Sequence, residues 1–117
     1  MKNYFKDKLI VSIEQAVAAP YCTAKLADAG ARVIKIERKE GDFARYYDDF
    51  VKGDSTYFVW LNRGKESLVA NIKSNKDVKL LKKIISKADV FVQNLGPSVL
   101  KKVGLDSTTL RLSLIHI

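Results

Sequence analysis

Apolar positions along the chain follow two periods. Leu9-Ile10-Val11 with Ile13 is a short β-rich run, and Val33-Ile34 with Ile36 is a second. Between them, Ala16 to Ala29 is rich in the small and apolar residues that let a helix lie close on a sheet. Pro20 suits the first turn of that helix, where a missing N–H costs nothing, and Gly30 suits a left-handed stop just past its end. Two strands joined by a helix of this length are expected to lie parallel, with a right-handed crossover.

The pattern continues in strand and helix units. Ser67 to Ile72 reads as a third strand ending at Lys73. Ser74 then opens a helix, with Asp77 completing a capping box. Val78, Leu81, Ile84, Ile85 and Ala88 recur at helical spacing, which leaves Lys76, Lys79, Lys82, Lys83 and Lys87 largely outward. Asp89-Val90-Phe91-Val92 is a fourth strand, Gln93 to Pro97 a turn, and Pro97 to about Lys102 a short helix stopped by Gly104. Glu40 to Gly64 reads as a long irregular segment carrying Tyr46, Tyr47, Phe50, Tyr57, Phe58 and Trp60, which something must bury. Residues 112–117 read as the start of a further strand, and His116 within them as incidental. With no internal repeat or low-complexity linker, residues 1–117 read as belonging to a single domain.

Composition narrows the classes. The chain has 117 residues, 47% hydrophobic and 29% charged, the balance of a globular protein. No apolar run approaches a membrane span and Met1 to Lys8 is too polar for a signal peptide, so the expected location is cytoplasmic, without a membrane partner. The single Cys22 has no cysteine partner for a disulfide or metal cluster, and it is expected to be a packed thiol. A net charge of +8 favours an anionic partner. The lysines follow a helix face and are not clustered as a nucleic-acid arm would be.

The turn after the first strand contains no glycine, so the G-x-G-x-x-G phosphate clamp is absent. Alanines there still permit close approach, and a helix N-terminus offers N–H groups to an anion. The second strand ends in Glu37-Arg38-Lys39. An acid at this place grips a ribose hydroxyl, whereas a basic residue accommodates a phosphorylated ribose. Surface charge at a strand end is the third reading.

Several motifs occur in order: Ala18 to Thr23, Leu26 to Glu37 with its Ala-Gly-Ala turn, Gly41-Asp42 with Arg45, Ser55 with Tyr57-Phe58, Asn62-Arg63-Gly64-Lys65 with Ser67-Leu68, and Ala88-Asp89-Val90 through Asn94 to Gly96-Pro97. The series resembles the N-terminal end of the class III CoA-transferases, the formyl-CoA transferase and carnitine CoA-transferase family, over about residues 9–110. The resemblance implies an α/β fold, a Rossmann-like parallel sheet with flanking helices, as the N-terminal part of the family's large domain. It implies coenzyme A as acyl-CoA substrate and no metal. It also implies a small carboxylic acid as second substrate and an interlocked homodimer. The CoA positions it carries over are Val17 and Ala18, Arg38, the strand end Ala70-Asn71-Ile72-Lys73, the turn Asn94-Leu95-Gly96, and Lys102. In the family an aspartate attacks the thioester. No aspartate of this chain occupies that place, so no catalytic residue is assigned, and the chain is expected to be a piece that is inert alone. Residues 112–117 depart from the family pattern and are expected to be a non-native tail.

Two other readings stand beside this one. An α-methylacyl-CoA racemase shares the CoA cradle but abstracts a proton α to the thioester. The long aromatic segment around Tyr57-Phe58-Val59-Trp60 favours a transferase. A non-catalytic nucleotide- or nucleic-acid-binding module would use the charge and the aromatics as a stacking surface.

Overall fold

The computed structural model describes residues 3–113. Four strands, β1 (Leu9–Ile13), β2 (Arg32–Glu37), β3 (Lys65–Val69) and β4 (Val90–Gln93), form one sheet in the order β3-β2-β1-β4, with every pairing parallel. The helices are α1 (Ala18–Asp28), α2 (Thr56–Leu61), α3 (Asn75–Ser86), α4 (Pro97–Val103) and α5 (Ser107–Ser113).

Side chains alternate across a strand, so each apolar run feeds two cores. Val11, Ile13 and Ile36 face Leu81 and Ile85 of α3, Leu100 of α4, and Leu105 and Leu110 beyond it. Ile10 and Val33 face the other way, onto Leu26 and Ala27 of α1. Helix α1 therefore covers one face and α3 the other. The chain changes direction across the sheet between β1 and β4, which is where open α/β sheets form a ligand crevice. Pro20 lies in the first turn of α1, and Gly30 follows the helix at φ +103°. Gly104 ends α4 in the left-handed conformation.

Several expectations are corrected. Strand β3 spans Lys65–Val69 instead of Ser67 to Ile72. The Ala70 N–H closes the ladder on the Glu37 carbonyl at 2.9 Å, and β2 supplies no further partner. The next N–H, that of Asn71, turns to the Asp77 carboxylate at 2.8 Å, so Ala70 to Lys73 form a loop. That same bond leaves the capping box half made. Ser74 Oγ accepts from Asp77 N, while Asp77 serves Asn71 and not Ser74. Strand β4 ends one residue later than expected, at Gln93.

Residues 40–64 are not wholly irregular: a 3-10 turn (Phe43–Tyr46) and α2, capped by Ser55, lie within them. Their aromatics are not buried within the described residues. Tyr46, Tyr47, Phe50, Tyr57 and Trp60 stay exposed, and only Phe58 is half-covered. Cys22 lies on α1 as expected, but its thiol is exposed and not packed. The backbone continues as helix to Ser113, so no strand begins at Leu112, and His116 lies outside the described residues.

Candidate functional site

A cleft of about 640 Å³ runs along the carboxyl ends of the strands. Ile13 to Gln15 lie at and just beyond the end of β1, Ile36 to Asp42 at and beyond the end of β2, Ala70 to Lys73 beyond β3, and Leu95 beyond β4. Of the positions singled out in the sequence, Arg38, Ala70, Asn71, Ile72, Lys73 and Leu95 come together on its wall. Val17, Ala18, Asn94, Gly96 and Lys102 do not line it. Val17 caps α1 and Ala18 begins it, Gly96 caps α4, and Lys102 lies exposed in the last turn of α4.

Arg38 is exposed at the end of β2. Its guanidinium lies 4.3 Å over the Phe43 ring, and its Nε donates to the Gly41 carbonyl at 3.2 Å. These contacts hold the fork without neutralising it, so its charge remains available to an anion in the cleft. Lys39 and Lys73, both exposed, add to the positive rim.

Of the readings open for this strand end, Glu37 as a ribose acceptor does not survive, because its carboxylate is already engaged. Its Oε1 accepts from Arg45 Nη2 at 2.7 Å and Ser67 Oγ at 2.8 Å. Its Oε2 accepts from the Asp42 N–H at 2.8 Å and Arg45 Nε at 2.9 Å. Burial pushes this carboxyl up, but the Arg45, Asp42 and Ser67 hydrogen bonds outweigh it and hold the group at about 2. Glu37 fastens a loop and is not free to take a ligand. Gly41 makes the fastening possible, because a Cβ at its φ of +83° would meet Arg45 Cδ at 2.6 Å.

A second buried charge cluster lies beside it and was not anticipated. Lys35, only 1% exposed, donates to Asp42 Oδ2 at 2.6 Å and Asn62 Oδ1 at 2.7 Å. Lys65 donates to Glu14 Oε1 at 2.7 Å, to the Pro20 carbonyl at 3.0 Å and to Asn62 Oδ1 at 3.1 Å. Thr23 Oγ1 donates to the other Glu14 oxygen at 2.6 Å. Burial pulls Lys65 below its ordinary value, against the opposing pull of Glu14. Removing one member of such a set strands a buried charge, at a cost of about 3–5 kcal/mol. The signal was present in the alternation: Lys35 and Glu37 occupy the same strand face as the apolar Val33. Asn62 and Lys65 of the Asn-Arg-Gly-Lys motif belong to this cluster. Its Arg63 instead pairs with Asp28 on α1, Nε to Oδ1 at 3.0 Å.

The cluster reaches the turn between β1 and α1. Ala16 stands at φ +65°, a left-handed conformation that costs a residue with a Cβ about 1–2 kcal/mol. Asp42 Oδ1 accepts from the Ala16 N–H at 2.8 Å. The Asn94 side chain accepts from Gln15 N–H and donates to the Gln15 carbonyl, both at 2.9 Å. The N–H groups of Gln15 and Ala16 are therefore occupied and not offered to an anion. The first turn of α1 begins just after them with no side-chain cap.

A parallel α/β sheet with helices on both faces and a positively rimmed cleft at the strand ends defines the class: a Rossmann-like α/β unit. The sequence is matched over residues 5–113 by the model of CoA-transferase family III, and the chain belongs to that family. It is 38% identical over 106 residues to the acetyl-CoA:oxalate CoA-transferase of Acetobacter aceti, covering 90% of this chain and 27% of that protein. It is 42% identical over 98 residues to the human (Homo sapiens) succinyl-CoA:glutarate CoA-transferase, covering 82% of this chain and 22% of that protein. The fold superposes on a CAIB/BAIF family protein from Brucella suis with a TM-score of 0.88 at 30% identity, covering 96% of this chain and 31% of that one. The chain thus spans about a quarter of the length of the curated relatives it matches.

Proposed function

We propose that the full-length protein moves CoA between carboxylic acids, and that this chain supplies part of the CoA cradle. The observation that carries the reading is the strand-end cleft with Arg38, Lys39 and Lys73 on its wall. An elongated, polyanionic ligand suits such a cleft, and the uncapped first turn of α1 offers further N–H donors. The names of the relatives, which pair an acyl-CoA with a carboxylate, support the substrate class. Donor and acceptor are a small acyl-CoA and a small carboxylate. The working form is an interlocked homodimer in the cytoplasm.

The proposed chemistry follows the family resemblance. An aspartate carboxylate outside this chain attacks the thioester carbonyl and expels the CoA thiolate, leaving a mixed anhydride. The thiolate attacks the aspartyl carbonyl, releasing the donor acid and forming an aspartyl-CoA thioester. The acceptor carboxylate then displaces CoA, and the thiolate returns to the acceptor's acyl carbon, freeing the aspartate. This chain's residues hold the thiolate carrier through these exchanges.

Mass spectrometry of the full-length protein incubated with acyl-CoA tests the reading. The expected result is a CoA adduct on an aspartate outside these 117 residues. Entry of solvent deuterium at the α-carbon without CoA transfer would overturn it in favour of a racemase.

A further inference from the structure

We propose that Asp42, together with Asn94, is a positioning residue that holds the β1–α1 turn in the conformation that presents the first turn of α1 to acyl-CoA. This rests on the CoA reading above and adds to it residues that need not touch the ligand.

The argument begins with the turn itself. It has no glycine, yet Ala16 is held at φ +65°, so something outside the turn must impose its shape. Two side chains from distant loops do so. Asp42, buried after β2, takes the Ala16 N–H on Oδ1. The same oxygen also takes the Ala44 N–H at 2.9 Å, and Oδ2 is fixed by Lys35, so the carboxylate cannot swing away. Asn94, after β4, spends both ends of its amide on the Gln15 backbone.

The consequence is a division of labour. Asp42 and Gln15 both reach the cleft wall, while Val17 and Ala18 stand immediately beyond the clamped pair. In a glycine-rich turn the backbone conformation comes without strain; here it is borrowed from the loops that follow β2 and β4. Those two loops also carry Arg38 and Leu95 of the cleft, so closing the clamp fixes the relative placement of three strand ends.

The test uses the full-length protein and steady-state kinetics with both substrates varied. Asp42→Ala is expected to raise KM for acyl-CoA by about tenfold or more, with kcat and the KM for the acceptor carboxylate changing much less. Asp42→Asn is expected to lose far less, because its side-chain oxygen still accepts from Ala16. A role confined to pairing with Lys35 gives the opposite result, with Asn as poor as Ala. Should Asp42→Ala not fold, Asn94→Ala leaves the buried charges untouched. It is expected to raise KM for acyl-CoA while amide exchange at Gln15 accelerates. A rise in KM with Gln15 still protected would make Asn94 a direct contact and overturn the clamp. Failure of the wild-type protein to bind CoA would remove the functional reading. Wild-type binding of CoA with unchanged KM in the folded variants would remove the clamp alone.

Discussion

Glu37 shows that position alone does not decide what a charged residue does. It stands where a ribose-binding acid would stand, yet its two oxygens are filled by Arg45, Ser67 and the Asp42 backbone. Its carboxyl titrates at about 2 in the folded protein, below the ordinary 4.5, so the charged form is favoured by folding. The stability it contributes is fully present above the ordinary carboxylate range and is lost as the pH falls toward 2. Glu37→Gln is therefore expected to be less stable than wild type at pH 7 and to approach wild type as the pH is lowered through this window. Urea unfolding of the full-length protein at a series of pH values checks this; a constant gap between the two proteins would contradict it. The same residue-scale logic explains why the Lys35, Lys65, Glu14 and Asp42 cluster escaped a reading of the sequence. Lys65 and Glu14 are 51 positions apart, and nothing along the chain pairs them until the sheet has brought β1 and β3 to either side of β2.

Elements with a strong period were legible, and those without one were not. The β1, α1, β2 unit follows from its β-branched runs and from Gly30, and α3 from Val78, Leu81 and Ile85 on one face. Helix α2 is a single aromatic turn-and-a-half, Thr-Tyr-Phe-Val-Trp-Leu, whose residues have poor helix propensity; the Ser55 cap and its surroundings form it. The end of β3 depended on the Asn71 to Asp77 bond, a competition between side chain and ladder that a run of apolar residues does not reveal. Among the residues that join α3 to the sheet, Leu81 is fully buried. Leu81→Ala is expected to cost about 2–5 kcal/mol in chemical denaturation without altering the cleft wall. A loss well below this range would mean that α3 packs more loosely than described.

At the scale of the molecule, the two sheet faces are finished differently. The face under α3, α4 and α5 is a closed core. The other, beside α1, carries a run of touching aromatics: Tyr47 against Tyr57 at 5.6 Å, Tyr57 against Trp60 at 6.2 Å, and Trp60 against Tyr21 at 6.0 Å. Trp60 is 49% exposed, and no helix of the described residues is long and apolar enough to cross a membrane. The sheet meanwhile brings the loops after all four strands to one edge, and this is the arrangement on which the CoA reading depends. Of the cradle positions carried over from the family resemblance, the cleft gathers Arg38, Ala70 to Lys73 and Leu95. Val17, Ala18, Asn94, Gly96 and Lys102 lie outside its wall, at the start of α1, in the turn after β4 and on α4.

Arg38 offers the most direct measurement, because its guanidinium is steadied by Phe43 and Gly41 but carries no acid partner among the described residues. Titration of the full-length protein with CoA and with dephospho-CoA, wild type against Arg38→Ala, tests the proposed contact with the ribose phosphate. A charge-assisted hydrogen bond lost predicts CoA binding weakened by about tenfold or more, and dephospho-CoA binding by clearly less. An equal loss for both ligands would contradict the account.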